Sequence, residues 1–183
     1  HELRTPLNPV LLIASEAASD PDLPAKIRED FDTIVKNATL EARLIDDLLD
    51  LTRITHGKMS LDKRVVDLHA VLADALETIA SDLGDKKQTL SVKLTTGGHH
   101  VFGDPARIQQ IFWNVLKNAV KFTPHGGAVK VETEYDEASA RCLVRIQDTG
   151  IGMTSDEVAR IFDAFSQGNH ARGSGSHRFG GLG

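Results

Sequence analysis

The sequence predicts two architectures in series: an α-helical hairpin over residues 1–58, expected to pair into a dimeric four-helix bundle, and an α/β two-layer sandwich over 59–183. Three observations carry this expectation. Apolar residues before position 57 recur in steps of three and four, with almost no glycine and no strand-like alternation. From residue 60 onward, helical patterns alternate with period-two segments. Five of the fifteen glycines fall within residues 172–183, so the chain ends in a glycine-rich turn.

Leu3, Leu7, Val10, Ala14 and Ala17 define the first helix, and the two prolines of "SDPDLP" (19–24) break it. Ile27, Phe31, Ile34, Ala38, Ile45, Leu48 and Thr52 largely keep a seven-residue rhythm in the second, the seam of an antiparallel hairpin. One such hairpin cannot bury both faces, hence the expected dimer. Gly57 in "THGKM" stops the helix at a short hinge. "VVDLHAVLADALETIASDL" reads as a helix entered at Asp67, and "QTLSVKL" as a strand. "FGDPARIQQIFWNVLKNAVKF" contains a helix with Asp104 as N-cap and Pro105 at its first position, stopping at Pro124. "GAVKVETEY" and "RCLVRIQDT" should pair as a hairpin around "DEASA". "TSDEVARIFDAF" opens with a capping box, Thr154 to Glu157, and forms a short helix. The sandwich is thus a mixed sheet with helices on one face.

Composition excludes several classes. A net charge of −5 argues against nonspecific nucleic-acid binding. The single cysteine, Cys142, permits no internal disulfide and no cysteine-built metal site, and its alternation with Val144 and Ile146 places it in a core strand. No apolar run reaches membrane-spanning length and no signal peptide is visible. The chain begins at His1 rather than methionine and reads as a fragment.

Chemistry concentrates in a few places. Asn114, Asn118 and Lys121 lie four and three residues apart, on one stripe of a helix whose other stripe is Ile108, Ile111, Phe112, Val115, Leu116 and Ala119. Such a stripe is either an ordinary solvated face or a set of amide oxygens and an ammonium aimed at an anion. "DTGIGM" follows a strand. It is either a tight turn or a place where glycines admit a flat ligand to the Asp148 carboxylate. "RFGGLG" is likewise a turn or a backbone cradle for phosphate. His99 and His100 read as exposed histidines in a strand-connecting loop, with no third ligand at metal spacing. Trp113 reads as packing, and "DDLLD" (46–50) as a solvated acidic face.

In order and combination these motifs resemble the bacterial sensor histidine kinases of two-component signalling. "HELRTPL" looks like the H box, "NVLKNAVKF" the N box, "DTGIGM" the G1 box, "IFDAFSQ" the F box and "GGLG" the start of the G2 box. The resemblance spans essentially the whole chain. It implies a dimerisation and histidine-phosphotransfer domain at 1–58, truncated at its N-terminus, and a catalytic ATP-binding domain of the gyrase-type (Bergerat) fold at 59–183, cut short at Gly183.

By this resemblance the cofactors are ATP and Mg²⁺. Asn118 is the Mg²⁺ ligand, Asn114 supports metal or phosphates, Lys121 contacts phosphate, and Phe122 packs near the nucleotide. Asp148 accepts from the adenine amino group, Gly150 and Gly152 permit that approach, and Gly181 and Gly183 belong to the second glycine box. Residues 153–180 form the lid, with Phe162 and Phe165 at its base; Arg172 and Arg178 are candidate phosphate contacts or idle loop cations.

His1 is the implied phosphoacceptor, with Glu2 as base or orienting acceptor. Thr5, expected on the same helix face at i+4, holds a water for dephosphorylation, and Pro6 bends the helix. The implied activity is autophosphorylation on His1 and transfer to an aspartate of a response-regulator receiver, with phosphatase activity. The implied assembly is a homodimer in the cytoplasm, with any membrane attachment upstream and no nucleic acid bound. The alternative is a noncatalytic dimeric scaffold that binds ATP. Joint retention of His1, Glu2, Asn118 and Asp148 favours the kinase.

Overall fold

The computed structural model describes residues 5–163. The chain divides into two compact units, one holding residues up to Met59 together with those from Met153, the other Ser60–Gly152.

In the first unit, α1 (Leu7–Ser19) and α2 (Ala25–Thr55) form the hairpin, and the intervening prolines keep the turn out of helical geometry. Pro9 is accommodated at the third helical position, where its missing N–H has no partner to lose. The α2 helix ends at His56, followed by Gly57 at φ +64°, a value only glycine adopts freely. The helices meet on small residues: Ala14, Ala38 and Ala42 are buried, whereas the seam positions Val10, Ile27, Ile34 and Leu48 each remain 43% exposed.

Three expectations here need correction. Thr5 and Pro6 form a turn before α1, so Thr5 is not one turn along that helix. Pro6 starts the helix instead of bending it, because its φ of −69° already suits helix entry. In the acidic run, Asp46, Asp47 and Asp50 are half-buried rather than solvated. That burial pushes the Asp47 carboxyl up, against the pull of Arg43.

The α5 helix (Ser155–Val158) carries the expected capping box: Thr154 Oγ1 accepts from the Glu157 N–H at 3.3 Å and Glu157 Oε2 accepts from the Thr154 N–H at 2.8 Å. It lasts a single turn, shorter than its apolar spacing predicts, and turns follow it to Asp163.

The second unit contains β1 (Arg64–Asp67), α3 (Leu68–Asp85), β2 (Thr89–Lys93), β3 (His100–Gly103), α4 (Pro105–Phe122), β4 (Ala128–Asp136) and β5 (Arg141–Asp148). A mixed sheet runs β2-β4-β5, with β2 parallel and β5 antiparallel to β4. Val129 and Val131 of β4 face inward beneath α3 and α4, and the core joins them to Leu72, Ile79, Phe112 and Leu116. Cys142 packs partly buried against this core, and burial pushes its thiol up.

A separate antiparallel ribbon, β1-β3, is not visible from periodicity. Both strands are four residues long, too short for alternation to register, and Val65 and Val66 continue smoothly into the helical pattern. His100 therefore belongs to a strand, though it is exposed as expected, and His99, in the loop as expected, is half-buried. Among the described residues, no helix is long and apolar enough to cross a membrane.

Candidate functional site

The α4 helix presents the Asn stripe, and its position is set at both ends. Asp104 caps the N-terminus by accepting from the Ala106 and Arg107 N–H groups, and its other oxygen accepts from the Asp62 N–H at 2.9 Å. The Asp62 bond above all holds the Asp104 carboxyl below the usual carboxylate range. At the C-terminus, Lys86 Nζ donates to the carbonyls of Val120, Lys121 and Thr123 at 2.8, 2.7 and 3.1 Å. Gln88 Nε2 donates to those of Val120, Thr123 and Pro124. A cation there complements the negative end of the helix dipole. Burial lowers the Lys86 pKa, with the Asp82 charge opposing.

Neither Lys86 nor Gln88 carries a local sequence signal, because their partners lie more than thirty residues ahead. Gln88→Leu is expected to cost about 1–3 kcal/mol, since it removes the donors from buried carbonyls. Thermal unfolding monitored by circular dichroism checks this, and an unchanged midpoint would mean that Lys86 alone suffices.

Phe112, Leu116, Ala119 and Val120 form the buried stripe of α4, and Asn114 and Asn118 are exposed opposite them. The apolar stripe read from the sequence is too wide. Ile111 is 59% and Val115 44% exposed, and with the exposed Phe122 they flank Asn118 on the open face. At 100° per residue these three positions lie nearer Asn118 than the core, a signal that the broad apolar run hides. Trp113 is half-buried and packs under the Lys117 ammonium, 5.8 Å from its ring centre, while Lys117 bonds Asp82 of α3.

Among the described residues, no group holds the side-chain amide of Asn114 or Asn118. Their exposed oxygens are hard donors of the type Mg²⁺ accepts, so the residues present fit that ion. Lys121 Nζ sits 4.9 Å from the Phe122 ring centre.

Topology brings Asp148 to this helix end. Antiparallel pairing sets Asp148 opposite Val129, at the start of the strand that follows α4. The turn after β5 then locks onto α4: the Ile151 N–H donates to the Phe122 carbonyl at 3.3 Å. Gly150 lies so close that an added Cβ would stand 2.8 Å from the Phe122 oxygen and 2.5 Å from Asp148 Oδ1. Asp148 Oδ1 in turn accepts from the Gly150 N–H at 2.8 Å. Gly152 is required for a different reason, its φ of +69°. Thr149 ties the turn to Ala128 by two hydrogen bonds, a role without a sequence signal.

The structure therefore joins Asp148 and Gly150 to Phe122 at the C-terminal end of α4, with Lys121 beside Phe122 and with Asn118 and Asn114 further back along the same helix. His1, Glu2, Phe165, Arg172, Arg178, Gly181 and Gly183 lie outside the described residues. Phe162, expected at the lid base, is 95% exposed in a turn.

A helix bearing paired exposed amides, held at both ends and closed by an aspartate–glycine turn on a mixed sheet, is a candidate ligand-binding face of an α/β domain. Residues 103–183 match the family described as histidine kinase-, DNA gyrase B- and HSP90-like ATPase, and residues 1–57 match the His Kinase A (phospho-acceptor) domain. The aerobic respiration control sensor protein ArcB of Escherichia coli K12 is 33% identical over 174 residues, which cover 94% of this chain and 22% of that protein. The signal transduction histidine-protein kinase BarA of the same organism is 34% identical over 186 residues, covering 100% and 20%. The crystal structure of full-length ShkA in complex with AMPPNP superimposes with a TM-score of 0.70 at 29% identity, over 91% of this chain and 35% of that one. The chain belongs to the bacterial sensor histidine kinases and carries their phosphoacceptor and ATPase regions. It spans about a fifth of the length of these curated relatives.

Proposed function

We propose that this segment is the catalytic core of a sensor kinase that phosphorylates itself on His1 from ATP and passes the phosphoryl group to an aspartate of a response-regulator receiver. The observation that supports it most is the union of the unheld Asn114 and Asn118 amides with the Asp148–Gly150 turn locked on Phe122. Residues 1–58 are assigned to dimerisation and phosphotransfer, and 59–183 to ATP binding. The half-exposed seam of Val10, Ile27, Ile34 and Leu48 supports a homodimer, since a second hairpin would cover it.

In this reading the Asp148 carboxylate accepts from the adenine amino group, and Gly150 leaves room for the ring. Ile111, Val115 and Phe122 offer the nucleoside an apolar surface. Asn118, assisted by Asn114, would hold Mg²⁺, which would supply charge neutralisation to the phosphates. The Lys121 ammonium adds a positive charge for phosphate, and Gly181 and Gly183 are assigned to cofactor binding.

An imidazole nitrogen of His1 attacks the γ-phosphorus, the bond to the β-phosphate oxygen breaks, and ADP leaves. The ring proton passes to Glu2 or to water. A receiver aspartate then takes the phosphoryl group from the histidine.

In the reverse direction, Thr5 is assigned to hold the water that hydrolyses the phosphorylated regulator, acting from the turn before α1. Thr5→Ala should reduce regulator dephosphorylation at least tenfold, about 1.4 kcal/mol of barrier, and change autophosphorylation much less. Both rates, measured with the cognate regulator in a chain extended at both ends, test the assignment. Absence of any acid-labile phosphorylation in the unaltered protein would overturn the kinase reading, and equal losses in Thr5→Ala would overturn the division of labour.

A further inference from the structure

We propose that Asp67, His69 and His99 form a site for a divalent transition-metal ion of the zinc type, built from residues distinct from those assigned to the nucleotide. One ligand atom from each lies within 4.8 Å of the others. The three come from separate places in the chain. Asp67 ends β1 and caps α3, His69 sits in the first turn of α3, and His99 immediately precedes β3.

The cluster is pinned from behind. Asp67 Oδ1 accepts from the N–H groups of His69 and Ala70 at 2.9 and 3.3 Å. The His99 carbonyl accepts from the Leu68 N–H at 2.9 Å, and His100 pairs with Asp67 across the ribbon. His69 Nε2 lies 3.0 Å from the Thr133 hydroxyl, whose oxygen also accepts from the Thr95 N–H at 2.8 Å. A ring nitrogen anchored in this way is the usual outer support of a metal-bound imidazole.

A second observation points to a ligand. His99 Nδ1 is buried without a hydrogen-bond partner. Ordinary packing leaves that nitrogen unexplained, because burying an unpaired polar atom is costly. The His69 and His99 rings stack nearly parallel, with centroids 4.3 Å apart, and His99 Nε2 already stands 3.8 Å from Asp67 Oδ1. Coordination at about 2.0–2.2 Å requires the rings to tilt toward a common centre. Water or His100, tilted onto His99 at a centroid distance of 4.6 Å, would fill the fourth position.

Two imidazoles with one carboxylate suit zinc and its neighbours, whereas Mg²⁺ and Ca²⁺ favour all-oxygen shells. A bound ion would clamp the β1-β3 ribbon to the start of α3, and β3 leads through Gly103 directly to the Asp104 cap of α4.

The test is calorimetric titration of the 183-residue chain with Zn²⁺ alone, without nucleotide. One ion per chain is expected, with affinity lowered at least tenfold in His69→Gln, in His99→Gln and in Asp67→Asn. Asparagine is as good an N-cap as aspartate, so the last variant removes the ligand charge while keeping the cap. His56→Gln and Asn118→Ala should bind Zn²⁺ as the unaltered chain does. No saturable binding, or unchanged affinity in a folded His69→Gln/His99→Gln double variant, would overturn the site. Should the double variant fail to fold, imidazole nitrogen resonances of the unaltered chain decide: Zn²⁺ must shift those of His69 and His99, and shifts confined to other histidines reject the proposal.

Discussion

Asn118→Ala is expected to lower Mg-ATP affinity by tenfold or more, at least about 1.4 kcal/mol of binding free energy. The side chain is exposed and its amide bonds to nothing else among the described residues, so its removal should leave the α4 core of Phe112, Leu116 and Ala119 intact. What disappears is a hard oxygen donor of the kind Mg²⁺ takes. Asn118→Asp should also weaken binding sharply, because it sets a negative charge against the phosphates. Calorimetric titration with ATP, in the presence of Mg²⁺ and then of a chelator, separates the metal-dependent part. Unchanged Mg-ATP affinity in both variants would remove Asn118 from the metal site, and a large fall in thermal stability would show instead that the amide is structural.

His1→Gln, in a chain extended at both ends, is expected to abolish acid-labile, alkali-stable labelling from γ-labelled ATP while leaving Mg-ATP binding unchanged. Glutamine preserves polarity and approximate size but offers no ring nitrogen with a lone pair for phosphorus. Because the ATP residues belong to a different part of the chain, the loss should appear in the chemical step and not in nucleotide affinity. Labelling that survives would place the acceptor elsewhere. His56 and His69 are the next candidates, although each already has a ring nitrogen engaged: His56 Nδ1 at 2.7 Å from the Thr52 carbonyl oxygen and His69 Nε2 at the Thr133 hydroxyl. Labelling lost together with nucleotide binding would instead indicate a folding defect.

Elements long enough to repeat their period were legible. The helical hairpin, α3 from its Asp67 cap, α4 from Asp104 and Pro105, and the β4-β5 pairing all follow from local chemistry, because caps, prolines and alternation act within a few residues. The Asn114, Asn118 and Lys121 stripe was legible for the same reason. What these residues could do was not, since an isolated polar stripe is equally a solvated face. The ordered set of boxes resolved that ambiguity at the level of family.

Long-range contacts decided the rest. The broad apolar run hides the angular difference between Ile111 and Val115, left exposed beside the amides, and Phe112 and Leu116, which are buried once α3 and β4 take up one side of the helix. Lys86 and Gln88 become caps of α4 only because the end of α3 and the start of β2 arrive beneath its last carbonyls. His69 and His99, thirty residues apart, stack only because a four-residue ribbon returns β3 to the entrance of α3. Local hydrogen bonding and hydrophobic period are written into neighbouring residues. Which side of a helix is covered, and which distant side chains share a space, depends on how the elements pack, and that belongs to the tertiary structure alone.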